Sequence, residues 1–282
     1  RRHTRYWRDW SSDVCSSDLY SKDALTYFSK WIGEYPYSQF TCADVLNASG
    51  SGMEYPMLTA IGTEGDVFEL EATIQHEIGH GWFYGILGSN ERQHPWMDEG
   101  MTQFLETRYT YTKYANDSSK QMEHTGIFGR GGNVTYNHRK LEYLKYWHGA
   151  RANTDQQPEL NADFFSSVNY SADAYRKTAL SFDYLKCYLG DSIFDLCLHN
   201  YFDQWKFRHP MPLDVKKVFE TTSGKKLDWL FTDLIQSTKK IDYKICAASG
   251  SGGSYSVRIK NAGDISSPVS LSGMKNGKSL HT

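Results

Sequence analysis

The run HEIGH places His76 and His80 four residues apart with Glu77 between them. Successive residues of an α-helix turn through about 100°, so this spacing brings both imidazoles to one helix face, with Glu77 at the edge of the same arc. The surrounding text agrees with a helix, since Glu69 to Leu87 is an unbroken helical pattern that stops at Gly88, a residue suited to closing one. Two neutral imidazoles on one face suit zinc. A carboxylate beside them but not bound to the metal can take a proton from an activated water, which makes Glu77 the candidate general base.

H-E-x-x-H arises by accident in roughly one chain of this length in fifty, so a third ligand is required before the pair decides anything. A second helical pattern begins after Pro95 and runs to about Tyr114, and its first turn supplies Glu99, separated from His80 by 18 intervening residues. That gap fits a turn and a return on an antiparallel helix. An acid at this one position lowers the accidental rate to about one in a thousand. His76, His80 and Glu99 are therefore the expected zinc ligands. Glu106, two turns further along the same face, could orient a zinc histidine or lie at the surface, while Trp82, Phe83 and Trp96 pack the two helices together.

HEIGH, the fixed gap and the run WMDEG resemble the gluzincin peptidases of the aminopeptidase N and leukotriene hydrolase family. The resemblance implies a thermolysin-like catalytic domain of α+β class, mainly α, with a small mixed lobe and a helical lobe. Family members carry a Gly-Met-Glu strand upstream, usually ending in Asn; here it reads Gly52-Met53-Glu54-Tyr55-Pro56, with Tyr55 in place of Asn. A fixed carboxylate near the metal pairs with the α-ammonium of a peptide and so measures one residue to the scissile bond. Glu54, with Gly52 and Met53, is accordingly the implied substrate-binding segment. The family also implies a tyrosine in a Tyr-x-Lys-Gly-like segment that donates to the oxyanion, and Tyr175-Arg176-Lys177-Thr178 matches it with Thr for Gly. The implied activity is a zinc aminopeptidase acting on peptides with a free N-terminus. An endopeptidase or an epoxide hydrolase could use the same scaffold, and a non-catalytic fragment with a structural zinc site is the alternative of another class.

The remainder of the chain sets the boundaries. Residues 1 to 19 resemble the translated text of a sequencing adapter and are set aside from the fold, so that any leader is lost and the compartment stays open, bacterial periplasmic or secreted being preferred to cytoplasmic. Residues 20 to 245 are expected to form the peptidase domain, with helix-like, then strand-like text up to Ala60, loops and short helices between Ala115 and Ala172, and a helical bundle from Asp173 to Ser237. Residues 246 to 282 read as a flexible spacer, AASGSGGS, followed by the start of a β-sandwich-like domain. A net charge of -2 from 31 basic and 33 acidic residues gives no footprint for nucleic acid, and no apolar run is long enough to span a membrane. Cys42, Cys187, Cys197 and Cys246 lack metal or redox spacing and are expected mostly in the core. Oligomeric state is not legible.

Overall fold

A computed structural model describes residues 12–45, 51–62, 67–117, 122–125, 134–251, 254–275 and 278–281. The first helix, α1, spans Ser12–Trp31. Leu19 is exposed, whereas Tyr20, Ala24, Phe28 and Trp31 are buried at helical spacing. Three short strands follow, β1 (Thr41–Asp44), β2 (Gly52–Tyr55) and β3 (Leu58–Ile61). They form one sheet in the order β1-β3-β2, parallel between β1 and β3 and antiparallel between β2 and β3. This is the expected small mixed lobe.

The helix carrying HEIGH, α2, covers Val67–His80 and continues as a π-helical segment, Gly81–Ile86, before the chain turns at Gly88 with φ +70°. A short 3-10 turn, Pro95–Met97, leads into α3, Glu99–Lys113, which returns along α2. Trp82, Phe83 and Trp96 are fully buried, as their flanking positions require. Strands β4 (Met122–Thr125) and β5 (Val134–Asn137) then pair antiparallel ahead of α4, His138–Ala152. The run GIFGRGGN falls outside the described residues. A helix of 15 residues such as α4 was not expected here. Of its apolar residues only Leu141 and Ala150 are buried, so the segment carries little helical periodicity in its text.

The helical lobe comprises α5 (Ser167–Asn169), which passes through a π-helical segment (Tyr170–Lys177) into α6 (Thr178–Leu189), then α7 (Asp191–Trp205), α8 (Pro212–Ser223) and a last π-helical segment (Trp229–Ile235). Its core is aromatic. Trp96, Phe104, Phe182, Phe194, Phe219 and Phe231 interlock with ring centroids 5.3 to 6.4 Å apart, which ties α3 to α6, α7 and α8.

The spacer reading of AASGSGGS is corrected. Residues up to Ser251 belong to β6 (Tyr243–Ser251), which pairs antiparallel with β7 (Ser254–Asn261), so the boundary at 245 lies inside a strand. Beyond this hairpin the chain turns back to the helices: Ile265 is fully buried in the main core, and the Tyr243 hydroxyl donates to the carbonyls of Ile265 and Ser267 at 3.2 and 3.0 Å. The short strands β8 (Gly273–Lys275) and β9 (Lys278–His281) form a separate antiparallel pair. The whole is α+β and mainly α. Of Cys42, Cys187, Cys197 and Cys246 only Cys197 is buried; Cys187 and Cys246 are exposed and Cys42 is intermediate, so the expectation that most of them lie in the core is not met. Among the described residues no helix is long and apolar enough to cross a membrane.

Candidate metal centre and active site

One turn of helix separates His76 from His80, and their rings lie 4.9 Å apart between centroids on the face of α2 that meets the start of α3. Glu99 projects between them from the first turn of α3, its Oε2 3.2 Å from His76 Nε2 and 3.3 Å from His80 Nε2. One ligand atom from each of the three residues lies within 4.8 Å of the others. The turn ahead of Glu99 is fixed from outside, because Glu159 accepts both the Trp96 indole N–H and a hydrogen bond from His94 Nδ1.

The second nitrogen of each histidine is held by a carboxylate. His80 Nδ1 is 2.8 Å from Asp98 Oδ1, and His76 Nδ1 is 3.3 Å from Glu106 Oε2. Pinning Nδ1 in this way turns each Nε2 lone pair toward Glu99, which is the tautomer and orientation that a metal needs. Two imidazole nitrogens and one carboxylate oxygen, converging with their outer atoms already bonded, fit a zinc ion with a position left open for chemistry. Asp98 stands at the N-terminus of α3 but makes no capping bond there, its carboxylate being turned to His80 instead. Glu106 is in turn anchored by Gln103 Nε2 at 2.9 Å and by His138 Nε2 at 3.1 Å. The surface alternative for Glu106 therefore falls away: it is buried and touches His76.

These contacts set the charges. Burial opposes ionisation of Glu99, but its bonds with His76 and His80 hold it far below the usual carboxylate range. Burial likewise opposes ionisation of Glu106, while His138 and His76 bring it down to about 2. His76 is pushed up to about 10, since its bonds to Glu106 and Glu99 outweigh burial, and a bound cation would displace that proton. Glu77 is different. Burial lifts it to about 7, and its Oε2 has no hydrogen-bond partner among the described residues. A carboxylate kept basic and unsatisfied beside a metal position is poised to exchange protons near neutrality.

The upstream segment meets the same place. A Cβ on Gly52 would stand 2.3 Å from Glu77 Cδ, so strand β2 approaches the base as closely as it does only because residue 52 is glycine. Glu54, Asp98 and His80 each offer an atom within 4.8 Å of the others, which puts the Glu54 carboxylate at the rim of the metal centre. Burial raises its pKa, with His80 acting in the opposite direction. Met53 faces solvent beside it, 45% exposed. The Tyr175 ring lies over His76, 5.7 Å between centroids and 5° between planes. Its phenol is pushed well above the ordinary range by burial and by the Glu99 charge, so it keeps its proton.

All of the predicted residues thus come together: His76, His80, Glu99, Glu77, Tyr175, Glu54 and Gly52 line a cavity of about 310 Å³, with Met53 at its edge. A second cavity, of about 470 Å³, shares His76, Glu77, Tyr170, Tyr175 and Gly52 with it. Asp98, Gln103 and His138 were not assigned from the sequence. Asp98 had a signal in its adjacency to Glu99; His138 had none, because α4 reaches the centre only through the tertiary fold.

The peptidase family M1 domain matches residues 21–234 of the chain. No curated protein matches it. Among solved structures, the M1 zinc metallopeptidase of Deinococcus radiodurans is similar at 18% identity over 81% of this chain and 44% of that one, with a TM-score of 0.55. Legionella pneumophila aminopeptidase A, in complex with aspartic acid, is similar at 17% identity over 83% of this chain and 26% of that one, with a TM-score of 0.60. Native yeast LTA4 hydrolase is similar at 18% identity over 78% of this chain and 33% of that one, with a TM-score of 0.55. At such identities the likeness is one of fold, and the chain spans less than half the length of each of these proteins.

Proposed function

The chain belongs to peptidase family M1, and on that footing we propose that it is a zinc-dependent aminopeptidase, releasing the first residue of peptides that carry a free N-terminus. The observation that carries this reading is the placement of Glu54 at the rim of the His76, His80 and Glu99 triad, lining one cavity with Glu77 and Tyr175. The relatives' descriptions as zinc metallopeptidase and aminopeptidase support it.

His76, His80 and Glu99 would hold the zinc. When bound, zinc supplies a Lewis acid to the first peptide carbonyl and lowers the pKa of a water toward about 7. Glu54 pairs with the substrate ammonium, whose charge also favours the ionised form of a carboxylate that burial has made reluctant to ionise. Held at that end, the peptide presents its first carbonyl to the triad. Glu77 takes a proton from the attacking water and delivers it to the departing amine nitrogen, a transfer for which a pKa near 7 is well matched. The Tyr175 hydroxyl donates a hydrogen bond to the carbonyl oxygen as negative charge gathers there.

Glu54 favours this reading over an endopeptidase, which has no ammonium to hold. Glu77, with an oxygen that has no hydrogen-bond partner among the described residues, favours it over a structural zinc site, which has no use for a base. The experiment measures zinc content and hydrolysis of aminoacyl chromogenic amides by the chain and by Glu77→Gln, with N-acetylated substrates alongside. Zinc in both proteins, with hydrolysis only by the first and only of unblocked substrates, supports the proposal. Equal rates on acetylated substrates replace it with an endopeptidase, and full activity in Glu77→Gln ends the assigned mechanism.

A further inference from the structure

The 310 Å³ cavity holds one carboxylate that the proposed mechanism leaves unused. Glu54, Glu77, Glu91 and Glu99 line it, against His76, His80 and Arg92. Glu99 is bonded to both histidines, Glu77 serves as the base and Glu54 meets the substrate ammonium. Arg92 is engaged elsewhere, 3.0 Å from Asp163 in an exposed pair. Glu91 makes no hydrogen bond or ion pair among the described residues.

The charges do not balance without it. A divalent ion on the triad offsets Glu99 and Glu77, the substrate ammonium offsets Glu54, and Asp163 offsets Arg92, so that Glu91 remains without a counter-charge. Its pKa is raised by burial and then by the Glu54 and Glu99 charges, with His80 and Arg92 acting in the opposite direction, and a cation beside it would relieve that. The cavity is also made for a polar occupant, since Glu77 Oε2, in its lining, is buried and has no partner among the described residues.

Position separates Glu91 from Glu54. Glu54 offers an atom within 4.8 Å of His80 and Asp98, whereas Glu91 belongs to neither of the two sets of converging ligand atoms. The ammonium of a first residue is one carbon from the carbonyl that is cleaved, and the charged end of a lysine or arginine side chain stands several carbons away. The nearer carboxylate thus matches the ammonium and the farther one the side chain. Glu91 is also held in place by its turn: Asn90 Oδ1 accepts from Gln93 N at 3.0 Å, the Asn90 carbonyl from His94 N at 2.8 Å, and the Arg92 carbonyl from Ala162 N at 2.8 Å. A carboxylate fixed in this way needs little ordering to meet a guanidinium or an ammonium.

We infer that Glu91 selects the first residue of the substrate by pairing with its side chain, so that the preferred class is peptides beginning with arginine or lysine. The inference rests on the aminopeptidase reading and names the substrate class of that same site.

The test compares kcat/KM for the para-nitroanilides of arginine and citrulline, and of lysine and norleucine, in the zinc-loaded chain and in its Glu91→Gln and Glu91→Lys variants. A charge-assisted bond at Glu91 raises each cationic member over its neutral partner by about tenfold or more. Glu91→Gln should bring both ratios toward one and Glu91→Lys should take them below one, whatever happens to the absolute rates. Ratios near one in the unaltered chain overturn the inference and leave the aminopeptidase reading standing. Ratios that persist in both variants overturn it as well, and a loss shared equally by all four substrates assigns Glu91 to the ammonium instead. With no hydrolysis of any amide the aminopeptidase reading falls. Calorimetric titration with free arginine and citrulline then decides the cavity alone: tighter arginine that Glu91→Gln abolishes upholds the pairing, and equal binding overturns it.

Discussion

The Tyr175 ring lies parallel to the His76 imidazole, 5.7 Å away, in the cavity that Glu54 also lines. The stack belongs to the ring and the proposed chemistry to the hydroxyl, so the two can be separated. Tyr175→Phe should keep its zinc and its melting temperature while kcat falls about a hundredfold with little change in KM. Steady-state kinetics with metal analysis checks this. An unchanged kcat would remove the hydroxyl from the mechanism.

Gly52→Ala should act as an indirect lesion of the general base. The added methyl would meet the Glu77 side chain at 2.3 to 2.4 Å, and the carboxylate has to move. Activity is expected to approach that of Glu77→Gln while the His76, His80 and Glu99 set still binds zinc. Full activity with retained zinc would show that β2 can retreat at no cost.

Asp98→Asn and Glu106→Gln should each weaken zinc binding by about ten- to a hundredfold, because each removes the charge that orients one histidine. Competition with a chelator measures it. Affinity unchanged in both would mean that the packing of α2 alone orients the rings.

Lys177 carries a prediction about pH. It is 1% exposed, its Nζ donates to the Ser237 carbonyl at 2.7 Å, and burial pulls its pKa from 10.5 down to about 8 despite the nearby Asp173 and Asp155. The folded chain thus releases this proton at lower pH than the unfolded chain does. Between about pH 8 and 10.5 the unfolded state holds more protons, so this group's contribution to stability rises with pH and is lost again as pH falls through 8. Measured by urea unfolding, the native chain should gain on Lys177→Met by roughly 3 kcal/mol across that window. A difference that stays flat with pH would contradict the depressed pKa.

The metal triad was legible because helix geometry turns spacing directly into proximity: His76, His80 and Glu99 needed only two helices and one turn. Glu54 and Tyr175 sit on a strand and a π-helical turn whose meeting depends on the whole fold, and only resemblance pointed to them. The outer contacts were harder. Asp98 was in view beside Glu99, yet a residue at a helix start is ordinarily read as a cap, and here its side chain turns inward to His80. His138 reaches Glu106 from a helix whose burial rests on a few side chains and leaves little periodic signal. The Gly and Ser residues of β6 read as a linker because their low strand preference is overridden by pairing with β7.

The π-helical segment from Tyr170 to Lys177 lies within an otherwise continuous helix from Ser167 to Leu189. Such wide turns hold more residues than an α-turn over the same rise, and they arise as local insertions in ordinary helices. Removing a single residue between Tyr170 and Lys177 would close the wide turn to the ordinary pitch and, with α6 held in its aromatic bed, change which side chains within the segment face the cavities. Tyr170 and Tyr175, which line both cavities, lie inside that segment, whereas His76, His80 and Glu99 lie outside it. Under the proposed mechanism the length of that segment matters alongside the identity of Tyr175, and a one-residue gap there is expected to be more damaging than most substitutions within it.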